Sequence, residues 1–311
     1  MVCRNSELFM KIIKSKKKLY SLAERERWDE NSFAPVEDTK LTIELDDCNR
    51  IECANFRVSK DNTIENHACI STQAGCKQGC KFCTSGLRGF KRNLEVNEII
   101  GQLELLAETS QITFDKVLLM GVGEPLDNLK NVIEAIERIY GSSFFNKKRR
   151  ISIATCGLAG QIDQLSNIKV PIDLWISLHA ATDKKREKLM PIAKIHHLKT
   201  ILVAAKKFSE KNQNSRVWLN YMIFNKFNNF SKDAKDLSKL LKGTEKNFNL
   251  FLTIPNCDCL GFHKANEQQI EAFRKKLLNE GVENRILKFI TAGNDIEAGC
   301  GEFLFIPNES K

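Results

Sequence analysis

From Cys69 onward, short apolar runs alternate with longer amphipathic stretches. Val117-Leu-Leu-Met, Ile151-Ser-Ile-Ala, Ile172 to Leu178, Val217 to Phe224, Phe248 to Ile254 and Ile286 to Ile290 read as strands. Between them, Asn128 to Tyr140, Lys199 to Lys211, Ser231 to Leu241 and Glu267 to Leu278 read as helices. Near-continuous apolar strands joined by helices predict a parallel sheet covered on its outer face. Six or more such units predict an α/β protein built as a full or partial βα barrel. Chemistry in such a barrel belongs at the C-terminal ends of the strands, which puts the residues after Met120, Ala154 and Leu178 around one cavity.

The pattern before residue 67 is different. Lys40-Leu-Thr-Ile-Glu-Leu and Arg50-Ile-Glu-Cys-Ala-Asn-Phe flank a polar Asp46-Asp47-Cys48-Asn49 turn, which predicts a β-hairpin with Glu52 on its second strand. The lysine-rich run Lys11 to Tyr20, followed by Ala23-Glu-Arg-Glu-Arg27, predicts a charged N-terminal helix, either a solvated face or an arm that contacts phosphates. The expected organisation is an accessory segment at 1–66, a barrel core at 67–305 and a tail at 306–311.

Composition narrows the class. A hydrophobic fraction of 42% over 311 residues supports a sizeable core. No apolar run approaches a membrane span, and Met1 to Tyr20 has no apolar signal-peptide core, so a cytoplasmic protein without a membrane partner is expected. A net charge of +9 favours a polyanionic partner, and Lys147-Lys148-Arg149-Arg150 is a candidate phosphate contact. The 11 cysteines are odd in number and unevenly clustered, which points to metal or redox chemistry rather than a disulfide framework.

The sharpest cluster is Cys76-Lys-Gln-Gly-Cys80-Lys-Phe-Cys83, in a loop after the first apolar strand. Three close thiolates can hold three irons of a 4Fe–4S cluster and leave the fourth iron open. Zinc is the alternative, but it wants a fourth protein ligand, and none follows at C-x-x-C spacing. Cys257-Asp-Cys259 cannot complete a metal site by itself, and Cys3, Cys48, Cys53 and Cys156 are assigned no role. Gly123-Glu124 follows a predicted strand, where glycine permits close backbone approach and the carboxylate can accept an amino group; a plain strand-end turn reads equally well.

The C-x-x-x-C-x-aromatic-C spacing is that of the radical S-adenosylmethionine (radical SAM) superfamily. Cys69-Ile-Ser-Thr-Gln-Ala-Gly-Cys76, Phe82-Cys83-Thr-Ser-Gly, Gly89-Phe90-Lys91-Arg92-Asn93-Leu94, Glu98-Ile99-Ile100-Gly101-Gln102, Gly121-Val-Gly-Glu-Pro-Leu-Asp-Asn128, Ile176-Ser-Leu-His-Ala180, Asn220-Tyr-Met-Ile and Asp295-Ile-Glu-Ala-Gly-Cys300-Gly extend the likeness. Over roughly residues 40 to 305 the sequence resembles the RNA methyltransferases of the RlmN/Cfr type, most closely the RlmN branch that methylates adenine C2 in 23S rRNA and tRNA.

The resemblance implies a partial (β/α)6-type TIM barrel with a small N-terminal helix and β-hairpin extension. It also implies one 4Fe–4S cluster held by Cys76, Cys80 and Cys83, S-adenosylmethionine, an RNA substrate and an external electron donor such as flavodoxin or ferredoxin. Adenine C2 and C8 are electron-poor, their hydrogens are not acidic, and a radical is needed to methylate them. On this reading Cys300 takes a methyl group and then carries it as a methylene radical to the base. Cys69 resolves the adduct by forming a disulfide with Cys300, and Glu52 accepts the proton.

Gly123, Glu124, Ala154, Ser177, Leu178, His179 and Asn228 match cofactor-binding positions, although His179 reads equally as a satisfied core histidine and Ala154 stands where the family has a serine. The Gly-Glu-Pro form at residues 123 to 125 favours a C2 product over C8. The segment before the hairpin is too short for the family's helical RNA-reading domain, so an adenine C8 methylase or a radical SAM methylase acting on a non-ribosomal substrate is an alternative. A non-catalytic iron–sulfur or RNA-binding protein is another, motivated by Ala154. A monomer is expected.

Overall fold

The computed structural model describes residues 2–5, 8–25, 34–60, 63–86, 89–146, 150–255, 261–289 and 294–298. Its strands are β1 (Val2–Asn5), β2 (Leu8–Leu19), β3 (Ala34–Leu45), β4 (Arg50–Lys60), β5 (Thr63–Cys69), β6 (Gln73–Ala74), β7 (Arg92–Asn93), β8 (Lys116–Leu119), β9 (Ile151–Thr155), β10 (Ile172–Ser177), β11 (Arg216–Met222), β12 (Phe248–Thr253) and β13 (Ile286–Phe289). The helices are α1 (Leu22–Arg25), α2 (Val96–Ser110), α3 (Leu129–Gly141), α4 (Ala159–Leu165), α5 (Asp183–Leu189), α6 (Leu198–Lys211), α7 (Ser231–Leu241) and α8 (Glu267–Asn279).

Eleven strands form one sheet in the order β1-β2-β3-β4-β5-β8-β9-β10-β11-β12-β13. From β5 to β13 every pairing is parallel, whereas β1 to β5 pair antiparallel. The expected α/β barrel is therefore an open one, and the N-terminal strands continue its first edge. β5 belongs to both parts and crosses the expected junction at residues 66 and 67.

Side-chain alternation along the strands separates two apolar faces. Ile51, Ala68, Val117, Leu119, Ile153, Ile176, Leu219 and Leu250 pack outward on Leu103, Ile136, Ile201, Leu237 and Phe273 of the helices. The opposite face carries a smaller cluster of Ala54, Phe56, Val58, Cys69, Val122, Ile296 and Ala298.

The expected hairpin is present as β3 and β4, with Cys48 in the left-handed region at φ 63 and Glu52 paired with Thr42. The expected N-terminal helix is not: Leu8–Leu19 is a strand, and the helix shrinks to the single turn α1. Lys11, Lys14, Lys17 and Lys18 fall three or four residues apart, so a helix would stack like charges. On a strand, Met10 and Ile12 pair with Leu45 and Ile43 at the core edge, and Lys14 to Leu19 continue the ladder along β3 past a bulge. Lysines on a strand near a sheet edge also discourage pairing with other chains.

Candidate functional site

The cysteine loop leaves the sheet after β5. Gly75, just before Cys76, has φ +77, and a Cβ there would sit 1.8 Å from the Gly89 carbonyl oxygen, so only glycine lets the loop close on itself. Cys76, Cys80 and Cys83 are half-buried free thiols. Burial, with the neighbouring Cys83 charge, pushes the Cys76 thiol up to about 12, and burial with the Cys83 and Cys76 charges pushes Cys80 up as well. Cys76 and Cys80, whose ionisation burial and neighbouring thiolates oppose, would be stabilised as thiolates by cationic charge, which bound iron would supply. Among the described residues no three His, Cys, Asp or Glu side chains converge tightly enough for a single metal ion. A cubane takes each thiolate on a separate iron, and this donor set fits it better than zinc.

Two contacts brace the loop. The Lys81 amide donates to the Leu189 carbonyl at 2.8 Å, and Phe82 meets the His179 ring edge-on at 5.0 Å. His179 lies just past the end of β10 in the left-handed region (φ 55), and its Nδ1 accepts the Met222 amide at 3.0 Å. Burial, reinforced by Arg186, drives its pKa down to about 3. The ring is therefore neutral, with its proton on Nε2 by the hydrogen-bond pattern. Asn228 is fully enclosed and holds the same turn, donating to the carbonyls of His179 (2.7 Å) and Met222 (2.8 Å) and accepting the Phe224 amide at 2.8 Å.

Glu124 ties the ends of β8 and β9 together. Its Oε1 accepts the Leu126 amide at 3.0 Å and its Oε2 the Cys156 amide at 2.7 Å, while burial raises its pKa despite these bonds. A buried carboxylate in that condition is stabilised by an incoming ammonium group. Gly123 is required beside it: at φ +110 a Cβ would lie 2.6 Å from Gln73 Cβ, and the Gln73 amide oxygen accepts the Glu124 N–H at 2.8 Å. Ala154 and Ser177 are half-buried on the strand face turned away from the helices, and the Leu178 amide donates to the Asn220 carbonyl at 2.9 Å. Ala154 offers no hydroxyl, and the neighbouring Thr155 side chain is engaged with Glu124 and the Gly157 amide.

Arg186 on α5, a residue that sequence reasoning misses, is fully buried. Its guanidinium donates to the carbonyls of Cys156, Ser177 (3.0 Å), Leu178 (3.2 Å) and His196 (3.3 Å), clamping the ends of β9 and β10. Lys40 is a second residue that sequence reasoning misses. It is 3% exposed on β3, and its Nζ lies 2.8 Å from Glu52 Oε2. Thr42 donates to Glu52 Oε1 at 3.1 Å. Nothing in a lysine on a polar–apolar strand marks it as buried, because the helix-free face becomes an interior only when the later strands and residues 294–298 close over it.

The carboxylate of Glu52 and the thiol of Cys69 thus share the helix-free face, with Cys69 paired to Ala54. Ile296 and Ala298 pack into the same apolar cluster as Cys69. Cys300, Cys257 and Cys259 lie outside the described residues, as do Lys147 to Arg149. Arg150 stands at the N-terminal end of β9, the end of the barrel opposite the cysteine loop, where it faces Asp173 at 3.7 Å.

Comparison with known proteins gives a consistent picture. Residues 70–238 match the Radical SAM superfamily. The chain is 37% identical over 258 residues to a Pseudothermotoga lettingae protein named "Probable dual-specificity RNA methyltransferase RlmN", covering 79% of this chain and 74% of that one. It is also 37% identical over 252 residues to the "Dual-specificity RNA methyltransferase RlmN" of Campylobacter fetus subsp. fetus, covering 78% and 70%. A radical SAM methyltransferase from Sphaerobacter thermophilus shares the fold with a TM-score of 0.79 at 23% identity, over 95% of this chain and 81% of that one. Among the described residues no helix is long and apolar enough to cross a membrane.

Proposed function

The chain belongs to the RlmN family of radical SAM RNA methyltransferases, and from that premise we propose that it methylates an adenine carbon, C2 favoured, in 23S rRNA or tRNA, with Cys300 as methyl carrier, Cys69 as resolving thiol and Glu52 as proton acceptor. The family's cofactors are a 4Fe–4S cluster and S-adenosylmethionine, which together supply a carbon-centred radical. Cys76, Cys80 and Cys83 are the residues that would hold the cluster, and Gly123, Glu124, Ala154, Ser177, Leu178, His179 and Asn228 are the residues that would bind S-adenosylmethionine. Glu124 would receive its ammonium group, while Asn228 would act through the His179 turn that it holds. A one-electron donor of the flavodoxin or ferredoxin class supplies the reductant.

The observation that carries this reading is the shared face: Glu52, Cys69 and the segment two residues short of Cys300 converge on the side of the sheet free of helices. A carboxylate there can take the proton released at the target carbon. Once the radical adduct has given one electron to a one-electron acceptor and the target-carbon proton to a base, the Cys69 thiolate can attack the Cys300 sulfur; the new S–S bond forms as the bond from that sulfur to the product carbon breaks, and the electron pair leaves with that carbon, which takes up a proton to become the methyl group. The basic charge of +9 favours a polyanionic substrate, and an extruded base fits a site at strand ends.

The test is anaerobic reconstitution with S-adenosylmethionine and a reductant, followed by peptide mass spectrometry. The expected result is a methyl mark on Cys300 that disappears in Cys300→Ala. An intact cluster that cleaves the cofactor while Cys300 stays unmodified overturns the carrier assignment. Failure to cleave the cofactor at all favours the non-catalytic alternative that Ala154 motivates.

A further inference from the structure

The buried ammonium of Lys40 touches two parts of the molecule that the reaction proposed above needs together. Its Nζ lies 2.8 Å from Glu52 Oε2 on β4 and donates at 2.8 Å to the carbonyl oxygen of Glu297, in the segment 294–298. That segment has few other polar anchors among the described residues. Lys16 reaches Glu297 Oε2 at 2.6 Å and Lys18 reaches Asp295 at 4.0 Å, both from the partly exposed β2. Glu297 itself has φ 56, a left-handed backbone that a non-glycine residue adopts only when its surroundings impose it. On either side of it, Ile296 and Ala298 are each 2% exposed and pack against the Cys69 face.

A lysine buried on a strand face loses hydration that an apolar side chain would not, and an ion pair of this kind adds little net stability over a hydrophobic replacement. Its value lies in geometry. One ammonium, with three donors in different directions, can fix a carboxylate and a carbonyl relative to each other. We propose that Lys40 is a positioning residue that couples the proton-accepting carboxylate of Glu52 to the segment 294–298, holding that segment in its left-handed turn over the Cys69 face. This rests on the reading of Glu52, Cys69 and Cys300 given above. Lys40 sets the height of the segment over the sheet through the Glu297 carbonyl and the orientation of Glu52 through Oε2, so moving either contact displaces the other.

The experiment compares the wild-type holoprotein with Lys40→Met, Lys40→Gln and Lys40→Arg. Gln removes the charge but keeps a donor, so it remains informative if Met fails to load iron. Hydrogen exchange at the 294–298 amides is read in each resting protein, and the rates of cofactor cleavage and RNA methylation are measured separately. Lys40→Met is expected to speed exchange in the segment by about tenfold or more. RNA methylation should fall about a hundredfold with cofactor cleavage changed less than about twofold, a loss confined to the positioned step. Lys40→Gln should give a smaller gain in exchange than Lys40→Met, and Lys40→Arg should restore both readouts.

Unchanged exchange at 294–298 in both Met and Gln variants overturns the coupling. So does wild-type methylation in a variant whose segment has loosened, or a loss of methylation matched by an equal loss of cofactor cleavage and of iron. If the wild-type protein itself never methylates Cys300 or RNA, the reading of the reaction fails, while the exchange comparison still decides whether Lys40 holds the segment.

Discussion

His179 holds the fold together at a position proposed for cofactor binding. Its neutral ring accepts the Met222 amide and supports Phe82 of the cysteine loop, so protonation would break a buried bond next to that loop. The unfolded chain binds this proton near pH 6.5 and the folded one only near about 3. Stability contributed by the neutral ring is therefore complete above about pH 6.5 and is lost as pH falls toward the folded value, by about 3 kcal/mol at pH ~4. His179→Asn keeps an acceptor where Nδ1 stands and tolerates the positive φ. Denaturant midpoints measured from pH ~7 to ~4 are expected to fall less steeply in this variant than in the wild type; equal slopes would remove His179 from the acid response. The histidine motif was legible in the sequence, but whether it is core or ligand was not, because that depends on Asn220, Met222 and Phe82 arriving from other elements.

Helix α2 carries the argument at the scale of elements. The sequence shows Glu98-Ile99-Ile100-Gly101-Gln102 as a motif, and the structure gives it a mechanical purpose. Arg92 forks onto Glu98 at 2.7 and 2.8 Å, and Glu98 accepts the Glu95 amide at 2.8 Å, closing the helix start. One turn later, Gln102 accepts the Ser71 amide at 2.8 Å and donates to the Ser71 carbonyl at 2.9 Å. Ser71 in turn donates to the Glu52 carbonyl at 2.6 Å and accepts the Val122 amide at 2.9 Å, so α2 registers the hairpin against the strand-end loops. Gln102→Leu leaves both backbone groups of Ser71 buried without this partner, and urea unfolding is expected to show a loss of about 2–4 kcal/mol. A change below about 0.5 kcal/mol would mean that water or another group replaces the amide. The strand β2 is the opposite case: its lysines read as a helix because charge spacing says nothing about which backbone partner is available, and β3 provided one.

For the whole molecule, charge and architecture make separate contributions. A net charge of +9 acts at long range on a polyanion and is screened by salt, whereas Lys40 is paired with Glu52 inside the fold and adds no net charge to such attraction. Affinity for RNA is expected to fall about tenfold or more between ~50 and ~200 mM salt, read by filter binding or fluorescence anisotropy, and a flat response would remove phosphate contacts from the substrate model. By itself the sequence determined the alternation of strands and helices, the cysteine loop and the strand-end motifs, because each is written in local periodicity or in spacing within a few residues. Only the tertiary structure decided that Leu8–Leu19 is a strand, that Arg186 and Lys40 are interior, and that Glu52, Cys69 and Ala298 share one face. Those outcomes depend on partners tens to hundreds of residues away, and a buried charge is stable only where such partners meet it.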